Sequence, residues 1–83
     1  MLDCLITFRS VLPAQRAEER LRDEGIGCAV RRTPKWMERR GCGYSLWLEY
    51  EQLPRAVTLL RSGMIPYRKL YRSSGEQVEE VDL

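Results

Sequence analysis

Two periods of apolar residues take turns along this chain, and their order constrains the fold more than any single motif does. Residues 4–9 place Cys4, Ile6 and Phe8 on one side and Leu5, Thr7 and Arg9 on the other, the period-two alternation of a strand. Ser10 then stands where an N-cap belongs. Pro13 is tolerated in a first helical turn, and Ala14, Ala17 and Leu21 recur at helical spacing until Gly25 stops the run, which predicts a helix over 11–24. Ile26, Cys28 and Val30 alternate as a second strand that runs out at Thr33-Pro34.

The second half repeats the phrase. After a loop at residues 33–43, Tyr44, Leu46, Leu48 and Tyr50 alternate with Ser45, Trp47 and Glu49. Leu53, Ala56, Val57 and Leu60 follow the i, i+3, i+4, i+7 spacing of a helix ending at Gly63, and a fourth strand is predicted from about Ile65 to Tyr71, with Pro66 suggesting a sheet edge. The order β-α-β-β-α-β implies an α+β, ferredoxin-like fold: a four-stranded antiparallel sheet in spatial order 4-1-3-2 with both helices on one face. In that topology the end of strand one, the start of helix one and the 33–43 loop meet at one end of the sheet, near Ser10 to Leu12.

Charge divides the chain into a body and a tail. The 83 residues carry a formal net charge of +2, yet all fourteen basic residues lie in residues 1–72, while residues 73–83 hold Glu76, Glu79, Glu80 and Asp82. We therefore expect one domain over 1–72 and a flexible acidic tail over 73–83, which is expected to fold back over the basic loop. A chain this short builds one small core and no multidomain enzyme. No run approaches the ~20 apolar residues of a membrane span, and Met1-Leu2-Asp3 opens no signal sequence. The expected location is cytoplasmic, with no membrane contact.

The absence of histidine removes every Ser-His, Cys-His and His-metal mechanism, and the three cysteines, Cys4, Cys28 and Cys42, form no Cys-x-x-Cys pair. No metal or other cofactor is expected. Cys4 and Cys28 share the inward phase of their strands and read as core thiols. Cys42 differs, because Gly41 and Gly43 leave it without side-chain cover and open a path to the backbone, and Arg39 and Arg40 precede it. Two readings stand for it: a structural cysteine in a glycine-rich turn, or a thiolate held by its cationic neighbours and fit for nucleophilic or group-carrying chemistry.

The basic run Arg31, Arg32, Lys35, Arg39 and Arg40 also has more than one reading, as a solvated loop, an anion or thiolate site, or a phosphate-backbone surface. The last is the weakest. The outward positions of the central strands, Leu5, Thr7, Ser45 and Trp47, offer one aromatic and no RNA-recognition signature, so nucleic acid is not an expected partner. Leu5, Ala29 and Trp47 form an otherwise uncovered apolar patch for a partner, a second copy or the tail, which keeps a non-catalytic interaction or homodimerising module as the alternative function. Trp36 reads either as a lid over Cys42 or as an anchor for the loop.

One resemblance covers the body from Leu5 to Tyr71. It is carried by Ile6-Thr7-Phe8 followed by Ser10, Ala17-Glu18, Gly25-Ile26, Thr33-Pro34, Cys42-Gly43 shortly before Ser45-Leu46, and a helix ending in Gly63. On these residues the chain resembles the small bacterial proteins called putative selenium/sulfur carrier protein-like, with the Thr-Pro and Cys-Gly pairs the most specific part. The resemblance implies a carrier whose thiol, here Cys42, accepts a sulfane sulfur or selenium and hands it on. It implies as partners a donor enzyme such as a cysteine desulfurase and an acceptor protein. Such a carrier is not itself an enzyme. Lys35-Trp36-Met37-Glu38-Arg39-Arg40 departs from the family's smaller, more Ser-rich loop, and the extension after Tyr71 has no counterpart in it.

Overall fold

The computed structural model describes residues 2–34 and 43–83. Their elements run β1 (Cys4–Phe8), α1 (Val11–Asp23), β2 (Cys28–Arg32), β3 (Tyr44–Leu48), a 3-10 turn (Tyr50–Gln52), α2 (Leu53–Ser62), β4 (Leu70–Ser74) and β5 (Gln77–Val81). The strands form one antiparallel sheet in the order β2-β3-β1-β4-β5. Among the described residues it is an α+β architecture with two helices and five strands, one strand more than the sequence pattern suggests.

β1 is the central strand, and all five of its residues are buried. Cys4, Ile6 and Phe8 join Leu46, Leu48, Cys28 and Leu70 in the core, which the helices complete with Ala14, Ala17, Leu21, Leu53, Ala56, Val57 and Leu60. The alanines matter by their size, because a helix that buries Ala at consecutive turns approaches a sheet closely. The opposite face carries Leu5, Trp47, Ala29 and Tyr71 in one cross-strand row. Leu5, expected as part of an uncovered patch, is completely buried, as is Ser45, and Thr7 is nearly so. Leu5 sits between Trp47 and Tyr71 on the adjacent strands. The polar pair is tied down by hydrogen bonds: Trp47 Nε1–H donates to Ser45 Oγ (2.9 Å), Ser45 Oγ–H to the Arg31 carbonyl (3.2 Å), and the Lys69 N–H to Thr7 Oγ1 (3.0 Å).

Both helices end in the same device. At α1 the Ile26 N–H donates to Leu21 O (2.9 Å) and the Gly25 N–H to Arg22 O (3.0 Å), with Gly25 at φ +81°. This is the Schellman arrangement, in which the residue just past the helix adopts the left-handed conformation and the apolar residue after it meets the last turn. Ile26 therefore belongs to the helix stop rather than to β2, which starts two residues later than its alternation suggests. At α2 the Ile65 N–H donates to Leu60 O and the Met64 N–H to Arg61 O. Here the left-handed residue is Met64, at φ 55°, and Gly63 has an ordinary negative φ of −86°. Gly63 is thus not the pivot of the stop, although a Cβ on it would crowd Leu59 O at 3.3 Å.

Two expectations about the C-terminal third are corrected. Residues 65–69 are not strand, because Pro66 has no N–H to give a ladder; β4 begins at Leu70 and lies between β1 and β5, not at an edge. Residues 73–83 are not a loose tail. Gly75, at φ +63°, and Glu76 make a two-residue connection between Ser74 and Gln77, which pair across it, and β5 runs back along β4. β5 is the edge opposite β2, four strand spacings or ~19 Å away. The acidic residues therefore do not lie over Arg31 and Arg32; Glu80 instead pairs with Lys69 (3.5 Å).

The two edges are managed differently. Along the free side of β2, Glu18 Oε2 accepts the Val30 N–H (3.1 Å) and the Arg22 guanidinium donates to the Cys28 carbonyl (2.9 Å), so an ion-paired Glu18 and Arg22 of α1 occupy the strand's outward groups. β5 carries Glu79 and Glu80, and charge on an edge strand opposes pairing with another chain.

Candidate functional site

The pairing register fixes which ends of the elements come together. Phe8 pairs with Tyr44, and Tyr44 with Arg32, so the end of β1, the end of β2 and the start of β3 share one end of the sheet, as does the start of α1. β4 starts at the same end, where the Arg68 N–H donates to Thr7 O (2.7 Å) and the Thr7 N–H to Lys69 O (2.9 Å). Beyond the last ladder pair the Thr33 N–H donates to Gly43 O (3.0 Å), holding together the two stems of the 34–42 connection. Gly43 is the residue that follows Cys42 in sequence.

Of the residues singled out by sequence, Thr33, Pro34 and Gly43 stand at this neck, Thr33 and Gly43 buried and Pro34 half-buried. Thr33 Oγ1 is buried and has no hydrogen-bond partner among the described residues. Cys42, expected as the carrier thiol, its cationic neighbours Arg39 and Arg40, Gly41, expected as an access residue, and Trp36 lie outside the described residues, as does the rest of the stretch from Lys35.

The described part of the basic run is anchored on β3. The Arg31 guanidinium lies 5.6 Å from the Trp47 ring centroid and that of Arg32 lies 5.7 Å from Tyr44. Each cation is held beside an aromatic ring, on opposite faces of the sheet, with an attraction of about 0.5–1 kcal/mol at such exposed sites. Arg9, Arg68 and Lys69 stand at the same end, giving it five cations among the described residues. Asp3, Glu49 and Glu51 are at the other end of the same strands. The end of β5 brings Glu80 and Asp82 to the neck end as well, beside Lys69.

The other two thiols are unsuited to exchange. Cys4 is completely inaccessible, and burial, reinforced by the Asp3 carboxylate and opposed by Arg72, pushes its pKa from 9.0 to about 12. Cys28 is 6% exposed, and its thiol points at the Glu18 carbonyl (Sγ···O 3.8 Å). Burial raises its pKa as well, against the pull of Arg22. Since the thiolate is the reacting form, both stay protonated and shielded near neutral pH. Among the described residues no cluster of His, Cys, Asp and Glu could hold a metal ion, and no helix is long and apolar enough to cross a membrane.

What sequence reasoning missed is a cleft of about 240 Å³ at this end, lined by Arg9, Ser10, Pro13, Pro66, Tyr67 and Arg68. Its signal was present in the Pro66-Tyr67-Arg68 run, which the strand reading absorbed. Ser10 caps α1 in an extended conformation without a side-chain cap bond.

Compared with known protein families, residues 3–72 match the model of the Putative Se/S carrier protein-like family, and the chain belongs to that family. No curated protein and no solved structure matches it.

Proposed function

We propose that this member of the Se/S carrier family works through Cys42 as its carrier thiol. The observation that carries the reading is the fate of the other two cysteines: Cys4 and Cys28 are packed into the core with raised pKa values, which leaves Cys42 as the remaining thiol of a carrier-family chain. The Cys42 thiolate attacks the outer sulfur of a donor persulfide; the new S–S bond forms as the donor's own S–S bond breaks and the donor leaves as a thiolate. Selenium at the same oxidation level is the alternative cargo of the same site, taken from a donor selenopersulfide whose S–Se bond breaks as the new S–Se bond forms and whose thiolate leaves. Arg39 and Arg40 stabilise the thiolate and its anionic adduct, Gly41 keeps the approach open, and Thr33, Pro34, Gly43 and Trp36 shape the loop around it; Gly43, expected as an access residue, is buried at the neck.

The chain acts as a carrier rather than an enzyme, since without histidine its general bases are limited to carboxylates, Lys and Tyr. A donor enzyme of the cysteine desulfurase type loads it and an acceptor protein unloads it, in the cytoplasm. The order of β1 to β4 supports a ferredoxin-like core to which β5 is an addition.

The test is loading. Incubation with a cysteine desulfurase and cysteine is expected to add one sulfur to the intact mass of the wild type and none to Cys42→Ser. An adduct that survives in Cys42→Ser, or no adduct on the wild type with any desulfurase or selenium donor, refutes the assignment. A second reading, a homodimerising module, draws on the half-exposed Ala29, Trp47, Tyr71 and Val78 of the open sheet face. Sedimentation as a monomer across the micromolar range removes it.

A further inference from the structure

The cleft beside the neck has a composition that the carrier reading does not use. One wall is Arg9 and Ser10, which continue from β1 into the start of α1, and the facing wall is Pro66, Tyr67 and Arg68, which lead into β4. Pro13 and Pro66 give it rigid apolar surface, and Tyr67 packs its ring against the core. None of the lining residues is acidic.

The contrast with the adjoining cleft is informative. That neighbour shares Tyr67 and Arg68 but is also lined by Glu80 and Asp82 of the C-terminal segment, with Lys69 and Arg61. There the charges are answered within the chain: Lys69 pairs with Glu80 at 3.5 Å, and Arg61 donates to the Leu83 carbonyl at 3.0 Å. The Arg9 side is lined by Arg9 and Arg68 together with the apolar Pro13 and Pro66, and by no carboxylate. A guanidinium carries five N–H donors, so Arg68 can serve an anion alongside its partners within the chain.

We propose that this cleft binds a small molecule carrying a phosphate- or sulfonate-type oxyanion on an apolar body. The two arginines take the oxyanion, because a planar guanidinium matches the spacing of its oxygens. The apolar body lies along Pro13, Pro66 and the Tyr67 ring. At about 240 Å³ the space is below the ~300–1,000 Å³ typical of pockets for drug-sized ligands, so the molecule is small. The proposal goes beyond the carrier reading and does not depend on Cys42.

The experiment is a ¹H–¹⁵N NMR titration of the full chain with inorganic phosphate and with phenyl phosphate, at constant ionic strength set by chloride. Saturable shifts are expected at Arg9, Ser10, Val11, Tyr67 and Arg68, with phenyl phosphate binding the tighter of the two. Arg9→Gln and Arg68→Gln are each expected to weaken binding by about tenfold or more, as loss of a charge-assisted hydrogen bond implies, while Lys69→Gln leaves it unchanged. Shifts that do not saturate, or that Lys69→Gln weakens as much as Arg9→Gln does, overturn the proposal. The titration is repeated on Cys42→Ser, where unchanged affinity is expected. Phosphate binding in a chain that fails to load sulfur leaves this site standing; loading without phosphate binding removes it and spares the carrier reading.

Discussion

Raising the pH should invert the effect of removing the Cys4 sulfur. The thiol is completely buried in β1, and its pKa moves from 9.0 in an exposed setting to about 12 in the fold. Between those values the unfolded chain sheds a proton that the folded chain keeps, so the folded state binds more protons and stability falls as pH rises. The loss begins near pH 9, grows by ~1.4 kcal/mol per pH unit and levels off only as pH passes about 12. It reaches about 1 kcal/mol at pH 10 and about 3 kcal/mol at pH 11, against the ~4–12 kcal/mol expected for a chain of this length. Cys4→Ala lacks this titration. Near neutrality the variant should be the weaker protein by ~1 kcal/mol, the scale of deleting one buried heavy atom. The curves should cross near pH ~10, above which the alanine variant is the more stable. Urea denaturation followed by circular dichroism, under reductant and at pH 7.5, 9, 10 and 11, measures both. Cys28 and the other titrating groups are common to the two proteins and cancel in the difference. A wild-type-to-variant difference that stays constant from pH 7.5 to 11 would refute the claim that the fold holds this thiol protonated.

Three further expectations follow from the described residues. Met64→Gly should stabilise the domain by ~1 kcal/mol in chemical denaturation, because Met64 holds a left-handed conformation while its side chain is 86% exposed and contributes little packing; a loss of stability would mean that the side chain matters. Thr33→Val should leave stability unchanged or raise it by up to ~1 kcal/mol, since it removes a buried hydroxyl with no partner among the described residues, yet slow the loading of Cys42; equal loading rates would confine Thr33 to a structural role. Truncation after Ser74 should cost ~2 kcal/mol by removing the β5 ladder and the Val81 contact with the core. That truncation should leave the alkylation rate of Cys42 unchanged, and a faster rate would restore a covering role for the acidic segment.

The sequence was most legible where one face of an element is buried and its apolar residues keep strict time. β1, β3 and both helices meet that condition, and Cys4 and Cys28 were identifiable as core thiols from their phase alone. Legibility failed where backbone chemistry overrides side-chain pattern. Ile26 looks like the first residue of a strand, but the Gly25 stop uses its N–H to close α1. Ile65 to Lys69 continue the apolar run into β4, but Pro66 cannot enter a ladder. β5 was hidden by composition: Val78 and Val81 are its only apolar residues, and the surrounding carboxylates give an edge strand the look of a solvated tail. The Ser74-Gly75 turn signal was there to be weighed against that charge. Leu5 shows the limit of reading one strand at a time, because its burial depends on Trp47 and Tyr71, which reach it only through cross-strand register. At the candidate site the sequence located the neck of the loop correctly at Thr33 and Gly43, while the Arg9 and Arg68 cleft required knowing that residues 59 apart in sequence share one end of the sheet.

Cysteine-resolved alkylation across pH tests most directly whether the three thiols divide into two core residues and one carrier. Native protein is treated with iodoacetamide from pH 5 to 10 and the labelled peptides are quantified by mass spectrometry. Cys42 is expected to react with a midpoint below the ordinary ~8.5 of a free thiol, while Cys4 and Cys28 stay unlabelled near neutral pH until denaturant is added. A Cys42 midpoint at or above ~8.5, or labelling of Cys4 and Cys28 at rates comparable to it, would contradict the carrier assignment.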